Sequence, residues 1–267
     1  MAIPKIVSLP SRCLQLSPEG RIAAVNDLRM YYEIHGRGDP LLLLHAYNAS
    51  GAFWKPFIPA FSEHYRLIIP DIRGHGRTDN PAAQFSHRQV ACDTFALLDR
   101  LGIDLFRAIG VSTGGNTLVH MARQQPARIE AIVLVGCTYR YPESARAVMR
   151  QRTEETLTPQ IVEKLRAYHK LGDEQIRALH LIFHGIKDCY DDMDLTPAQL
   201  ADIRASALIV HGDRDTFFPL SIAVDMYRAI PDAYLWTVPN GGHIPIVDHA
   251  EAFTRTALKF LRGDWKR

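Results

Sequence analysis

No apolar run in this sequence approaches the ~18 residues needed to cross a bilayer. The opening stretch, MAIPKIVSLPSRCLQLSPEG, holds prolines and lacks the apolar centre of a secretory signal. There is no dense block of lysine or arginine, and the formal charge is only +2. Scattered arginines of this kind are solvated faces, which argues against a nucleic-acid binder. Cysteine is scarce: Cys13, Cys92, Cys137 and Cys189 are far apart with no C-x-x-C pair, so they read as buried free thiols. Internal repeats and low-complexity tracts are missing too. These absences leave a soluble cytoplasmic protein as the default expectation, with no nucleic-acid partner and no membrane.

The 267 residues, 47% of them hydrophobic, are enough for one large α/β domain carrying an insertion. Residues 21–35 alternate around Asn26-Asp27, the pattern of a β-hairpin. Short continuous apolar runs follow at 41–44, 65–71, 106–112, 129–136, 207–213 and 233–239, as expected for strands buried on both faces. Helical patterns lie between them. Ser86 and Gln89 have the spacing of a capping box, and Gly102 closes the helix they open. Further helices are expected over 114–125, 220–229 and 250–261. Such alternation predicts a mostly parallel central sheet with helices on both faces. Residues 138–204 break the pattern: Thr158-Pro159 and Thr196-Pro197 look like helix starts, and Ile176, Leu179, Phe183 and Ile186 mark an amphipathic helix. The expected division is therefore a core of 1–137 and 205–267 with a helical insertion at 138–204.

Within this frame Gly110-Val111-Ser112-Thr113-Gly114 joins a buried strand to a helix. A tight strand-to-helix turn presents a serine at a helix N-terminus, where developing negative charge is favoured. A serine hydroxyl needs a base. His243 lies in a glycine-rich loop between the last strand and the last helix, and is preferred to His249 six positions on. The base in turn needs a carboxylate. HGDRDTFFP offers two; Asp215 is the choice, with Asp213 assigned to holding the turn. Backbone N–H donors for an oxyanion are expected from Thr113 and from the loop after Leu44, at Tyr47.

Together these features resemble the α/β-hydrolase superfamily over nearly the whole chain. DIRGHGRT at 71–78 is similar to the family's D-x-R-G-x-G-x-[ST] loop, HGDRD to its acid loop, and GGHIPIVDHAEAF to its histidine loop. The chain departs from the family where His45 is followed by Ala46 in place of the usual glycine, and where Thr113 follows the serine. The resemblance implies that the insertion is a lid (cap). Because the superfamily's dehalogenases and epoxide hydrolases use an aspartate nucleophile, Ser112 implies acyl chemistry.

The expected activity is therefore hydrolysis of a small or medium-sized carboxylic ester through an acyl-enzyme, without cofactor or metal. The same machinery serves lactonases and C–C bond hydrolases, and a hydrolase-like small-molecule receptor is the reading from another class. Tyr139, Tyr141, Tyr168, Leu181, Phe183 and Tyr190 are candidates for an aromatic lid pocket. The acidic run at 187–194 lacks the glycine and terminal glutamate of a calcium loop and reads as solvated. His180 and His184 share a helix face without an adjacent glutamate and read as lid residues. A homodimer is compatible with the sequence, although no surface marks one.

Overall fold

Asn26, in the left-handed region at φ 50°, turns β1 (Arg21–Val25) back into β2 (Leu28–His35). The computed structural model describes residues 20–265, so the expectations for the N-terminal stretch and Cys13 lie outside the described residues. β2 pairs antiparallel with β4 (Arg66–Pro70). The remaining strands run parallel: β3 (Pro40–Leu44), β5 (Phe106–Val111), β6 (Ile129–Val135), β7 (Ser206–Gly212) and β8 (Ala233–Val238). Their order in the single sheet is β1-β2-β4-β3-β5-β6-β7-β8.

Strand periodicity divides the core in two. Leu42 and Leu44 face one way, with Ala108, Ile132 and Leu134, beneath α2 (His87–Arg100), α3 (Thr113–Gln124) and α8 (Leu220–Ala229). Leu41 and Leu43 face the other way with Ile109, Val133 and Val210. They meet Trp54, Phe61 of α1 (Ile58–Ser62), and Phe253 and Phe260 of α9 (Ala250–Leu261). Coverage on both faces is why the central strands read as unbroken apolar runs.

Between β6 and β7 the chain forms α4 (Glu143–Arg150), α5 (Pro159–Leu165), α6 (Asp173–Gly185) and α7 (Pro197–Leu200). Thr158 and Thr196 cap α5 and α7 ahead of their prolines, as expected. Ser86 accepts from the Gln89 amide to cap α2, but the reciprocal half of the box is missing. The Gln89 side chain donates to Asp93, a buried carboxylate that also holds Arg73. With its amide turned to this carboxylate, Gln89 does not present its oxygen to the Ser86 backbone N–H.

The acidic run differs from its expected solvated state. Asp192 and Met193 are buried. The Asp192 carboxylate accepts from the backbone amides of His87 and Arg88 and from His87 Nδ1, at 2.7, 3.0 and 2.6 Å. The first amides of α2 lack intrahelical acceptors, and Asp192 supplies them from across the fold. The cysteine expectation also needs correction. All three described cysteines are free, but only Cys137 is buried; Cys92 lies on the solvent side of α2 and Cys189 is half-buried. Among the described residues no helix is long and apolar enough to cross a membrane.

Candidate active site

Ser112 occupies φ 50°, ψ −113°, between the end of β5 and the first turn of α3. Its amide donates to the Val135 carbonyl at 2.8 Å, and its own carbonyl accepts from Asn116 at 2.8 Å to start the helix. Two close approaches make the flanking glycines obligatory. A Cβ on Gly110 would stand 2.5 Å from the Gly114 carbonyl, and one on Gly114 would stand 2.4 Å from the Leu44 carbonyl oxygen. The strained serine backbone is thus held by strand ends on either side.

The loops after β7 and β8 bring Asp215 and His243 to this turn. His243 Nδ1 donates to Asp215 Oδ2 at 2.9 Å, and His243 Nε2 accepts from the Ser112 hydroxyl at 2.9 Å. A carboxylate only accepts, so it settles which ring nitrogen carries the proton. Asp215 Oδ1 accepts from the amides of Phe217 and Phe218 at 2.8 and 3.1 Å. Burial pushes the Asp215 carboxyl up. The bond and charge of His243 and the two amides outweigh it, leaving the group below the usual carboxylate range. Asp215 therefore also holds the turn, the task expected of Asp213. The Asp213 carboxylate has an Oδ1 without a partner among the described residues and reaches only Arg214, at 3.9 Å. His249 is exposed, just before α9.

Sequence patterning did not find the residues that pack around the relay. The rings of Phe217 and Phe218 meet His243 edge-on at 5.1 and 5.2 Å. His211, fully buried, donates through Nε2 to the Phe218 carbonyl at 2.9 Å and lies 3.7 Å from Asp215. Its position four residues before Asp215 on an incoming strand was the available signal.

Among the described residues neither the Tyr47 nor the Thr113 amide donates to a protein acceptor, so both remain available to a ligand. His45 braces the Tyr47 loop. Its Nδ1 donates to the Ala46 carbonyl at 2.8 Å while Nε2 accepts from the Ile72 amide at 3.1 Å. Complete burial lowers its pKa to about 4, so it stays neutral. Ala46 substitutes for glycine without strain, because the left-handed residue of this loop is Asn48, at φ 58°.

Tyr47 donates its hydroxyl to the Leu179 carbonyl at 2.8 Å, and its ring packs against Phe183 at 5.0 Å and Phe85 at 5.4 Å. Phe183 reaches on to Phe217, and Tyr141 to Phe218, each at 6.3 Å. The other lid candidates lie elsewhere. Leu181 and Tyr190 are exposed, Tyr168 is half-buried, and the Tyr139 hydroxyl donates to Asp225 on α8.

The family model described as "alpha/beta hydrolase fold" matches residues 39–154. The structure of an enol-lactonase from Burkholderia xenovorans superposes with a TM-score of 0.76 at 26% identity, covering 91% of this chain and 100% of its own. The chain has the α/β-hydrolase fold. Among α/β hydrolases it is 29% identical to a 2-hydroxymuconate semialdehyde hydrolase from Pseudomonas putida, over 92% of this chain and 96% of the relative. It is 27% identical to a 2-hydroxy-6-oxononadienedioate/2-hydroxy-6-oxononatrienedioate hydrolase from Burkholderia vietnamiensis, over 88% and 92%. In this fold Ser112, Asp215 and His243 follow β5, β7 and β8, at the carboxyl end of a parallel sheet, where ligands bind in open α/β folds.

Proposed function

We propose that the protein is a serine hydrolase that cleaves a small or medium-sized carboxylic ester through an acyl-enzyme. The unbroken chain of hydrogen bonds from Ser112 through His243 to Asp215 carries this reading. Ser112 Oγ attacks the acyl carbon as His243 Nε2 takes its proton, and Asp215 stabilises the imidazolium. The amides of Tyr47 and Thr113 hold the oxyanion. His243 then protonates the departing alcohol. It next takes a proton from water, whose oxygen attacks the acyl carbon and releases the acid and free Ser112. Residues 138–204 serve as the lid.

A second reading, C–C bond hydrolysis by the same groups, is favoured by the names of the two relatives from Pseudomonas and Burkholderia vietnamiensis. A dienedioate, however, carries two carboxylates, and a buried carboxylate needs a cationic partner. The rings of Tyr47, Phe183, Phe217 and Tyr141 around the relay are uncharged. The buried arginines of core and lid are engaged: Arg73 by Asp27 and Asp93, and Arg146 by the carbonyls of Lys187 and Cys189. This supports a neutral acyl substrate, an ester or lactone. A panel of p-nitrophenyl esters, lactones and a 2-hydroxy-6-oxo-dienoate, run with the native protein and Ser112→Ala, tests both readings. Ester or lactone turnover should lead and should fall by at least about 10⁴-fold in the variant. Turnover of the dienoate alone would replace ester hydrolysis by the second reading, and substantial activity in Ser112→Ala would remove the nucleophile.

A further inference from the structure

The contact between the helical segment and the core contains two buried imidazoles, each with one unused nitrogen. His75 lies in the D-x-R-G-x-G loop and is 0% exposed; His169, after α5, is 3% exposed. Their ring centroids are 5.7 Å apart. Backbone contacts settle both tautomers. His75 Nδ1 is 2.9 Å from the Arg73 carbonyl oxygen, which can only accept, so Nδ1 carries the proton and Nε2 is a bare acceptor. His169 Nδ1 is 3.1 Å from the Gly76 amide, which can only donate, so Nδ1 is bare and Nε2 carries the proton. Among the described residues neither Nε2 has a protein partner. Burial keeps both rings neutral, lowering His169 to about 4 and His75 well below its ordinary value.

A buried polar atom without a partner is costly, so an acceptor beside a donor calls for a group that is both. Among the described residues no three side chains are arranged to hold a metal ion, and the proton on His169 Nε2 opposes one here. A carbonyl would satisfy His169 alone, and a carboxylate would face the His75 lone pair. A hydroxyl satisfies both. One oxygen bonded to two nitrogens bridges up to about 5.6 Å between them, and the two rings are neighbours across the contact. The His75 ring meets the Tyr47 ring edge-on at 4.7 Å, and the amide of the same Tyr47 holds the oxyanion in the reading above.

We propose that His75 and His169 form a hydroxyl-recognising subsite, in which a substrate alcohol donates to His75 Nε2 and accepts from His169 Nε2–H. The inference deepens the ester-hydrolase reading and rests on it; the substrate class becomes hydroxylated acyl esters or lactones.

Calorimetric titration of the Ser112→Ala protein with ethyl hexanoate and its 2-, 3- and 6-hydroxy derivatives tests it without turnover. At least one hydroxy ester should bind about tenfold tighter than ethyl hexanoate, since a site built for a hydroxyl discriminates against its absence. His75→Asn and His169→Asn, each added to that protein, should erase the preference. An asparagine amide reaches the Nδ1 position, so the bonds to Arg73 and Gly76 survive, but it offers nothing at Nε2. His75→Gln, which restores an acceptor near Nε2, should recover part of the preference, each preference being read as the ratio of hydroxy-ester to ethyl hexanoate affinity within one variant. No tighter hydroxy ester, or a preference that survives both asparagine variants, overturns the proposal and leaves the pair to a bound water. Turnover by the native protein is read separately. A hydroxyl preference without ester turnover supports the subsite while removing the ester-hydrolase reading.

Discussion

At the scale of single residues, Asp215 has two duties, one through each carboxylate oxygen. Oδ2 faces His243 while Oδ1 gathers the Phe217 and Phe218 amides. Asp215→Asn separates these duties. The amide oxygen can still accept from the two backbone donors, but its NH₂ would oppose the proton on His243 Nδ1 and favour the wrong tautomer. The expected result is a loss of about 10⁴-fold in kcat on the best ester of the panel, by the arithmetic of such triads. Circular dichroism and the unfolding midpoint should stay close to native. A kcat within tenfold of native would move the acid's role to another residue, Asp213 first. That Asp215 and not Asp213 meets His243 agrees with the expectation from loop position and family resemblance. Their other roles were not legible in the sequence, because which carboxylate a turn uses depends on where the neighbouring amides point.

At the scale of elements, the segment between β6 and β7 is fastened to the core from two sides. Gly76 donates to His169 and accepts from Lys170, and the Gln175 side chain donates to the Gly74 and Gly76 carbonyls. On the other side Asp192 caps α2 and pairs with buried His87. Burial opposes the Asp192 charge. His87 and the two amides outweigh it and hold the carboxyl well below its ordinary range. Breaking a buried pair by removing one partner costs about 3–5 kcal/mol, so Asp192→Ala should lower the denaturant midpoint accordingly. Asp192→Asn, which keeps an acceptor for the α2 amides, should cost less. Equal and negligible losses in both variants would mean that the segment is held by its apolar contacts alone. The helix starts at Thr158 and Thr196 were readable because a cap followed by proline is local chemistry. The inward turn of Asp192 was not, because its partners lie 104 and 105 positions away in the chain.

At the scale of the whole molecule, buried neutral histidines dominate the response to acid. Burial lowers His45, His120 and His169 to about 4 and holds His75 well below its ordinary value. Between about pH 6.5 and 4 the unfolded chain binds protons at these sites that the folded chain refuses, so stability rises with pH there and is lost as pH falls. Asp71 acts in the opposite direction. Burial raises it to about 6, so the folded state holds its proton first and stability from this group falls as pH rises through the same window. Four histidines outweigh one carboxyl. The thermal midpoint should drop between pH 7 and 5, with net proton uptake on unfolding at pH 5; a flat or rising midpoint would contradict the burial of these imidazoles. By itself the sequence determined the strands, the main helices and the order of serine, acid and histidine, because hydrophobic period, caps and turn chemistry act over a few neighbouring residues. Only the tertiary structure decided that the Tyr47 hydroxyl reaches Leu179, that Asp192 turns inward, and that His75 and His169 present a complementary acceptor and donor. Each of those outcomes depends on desolvation and on hydrogen-bond partners that close packing brings together from distant parts of the chain.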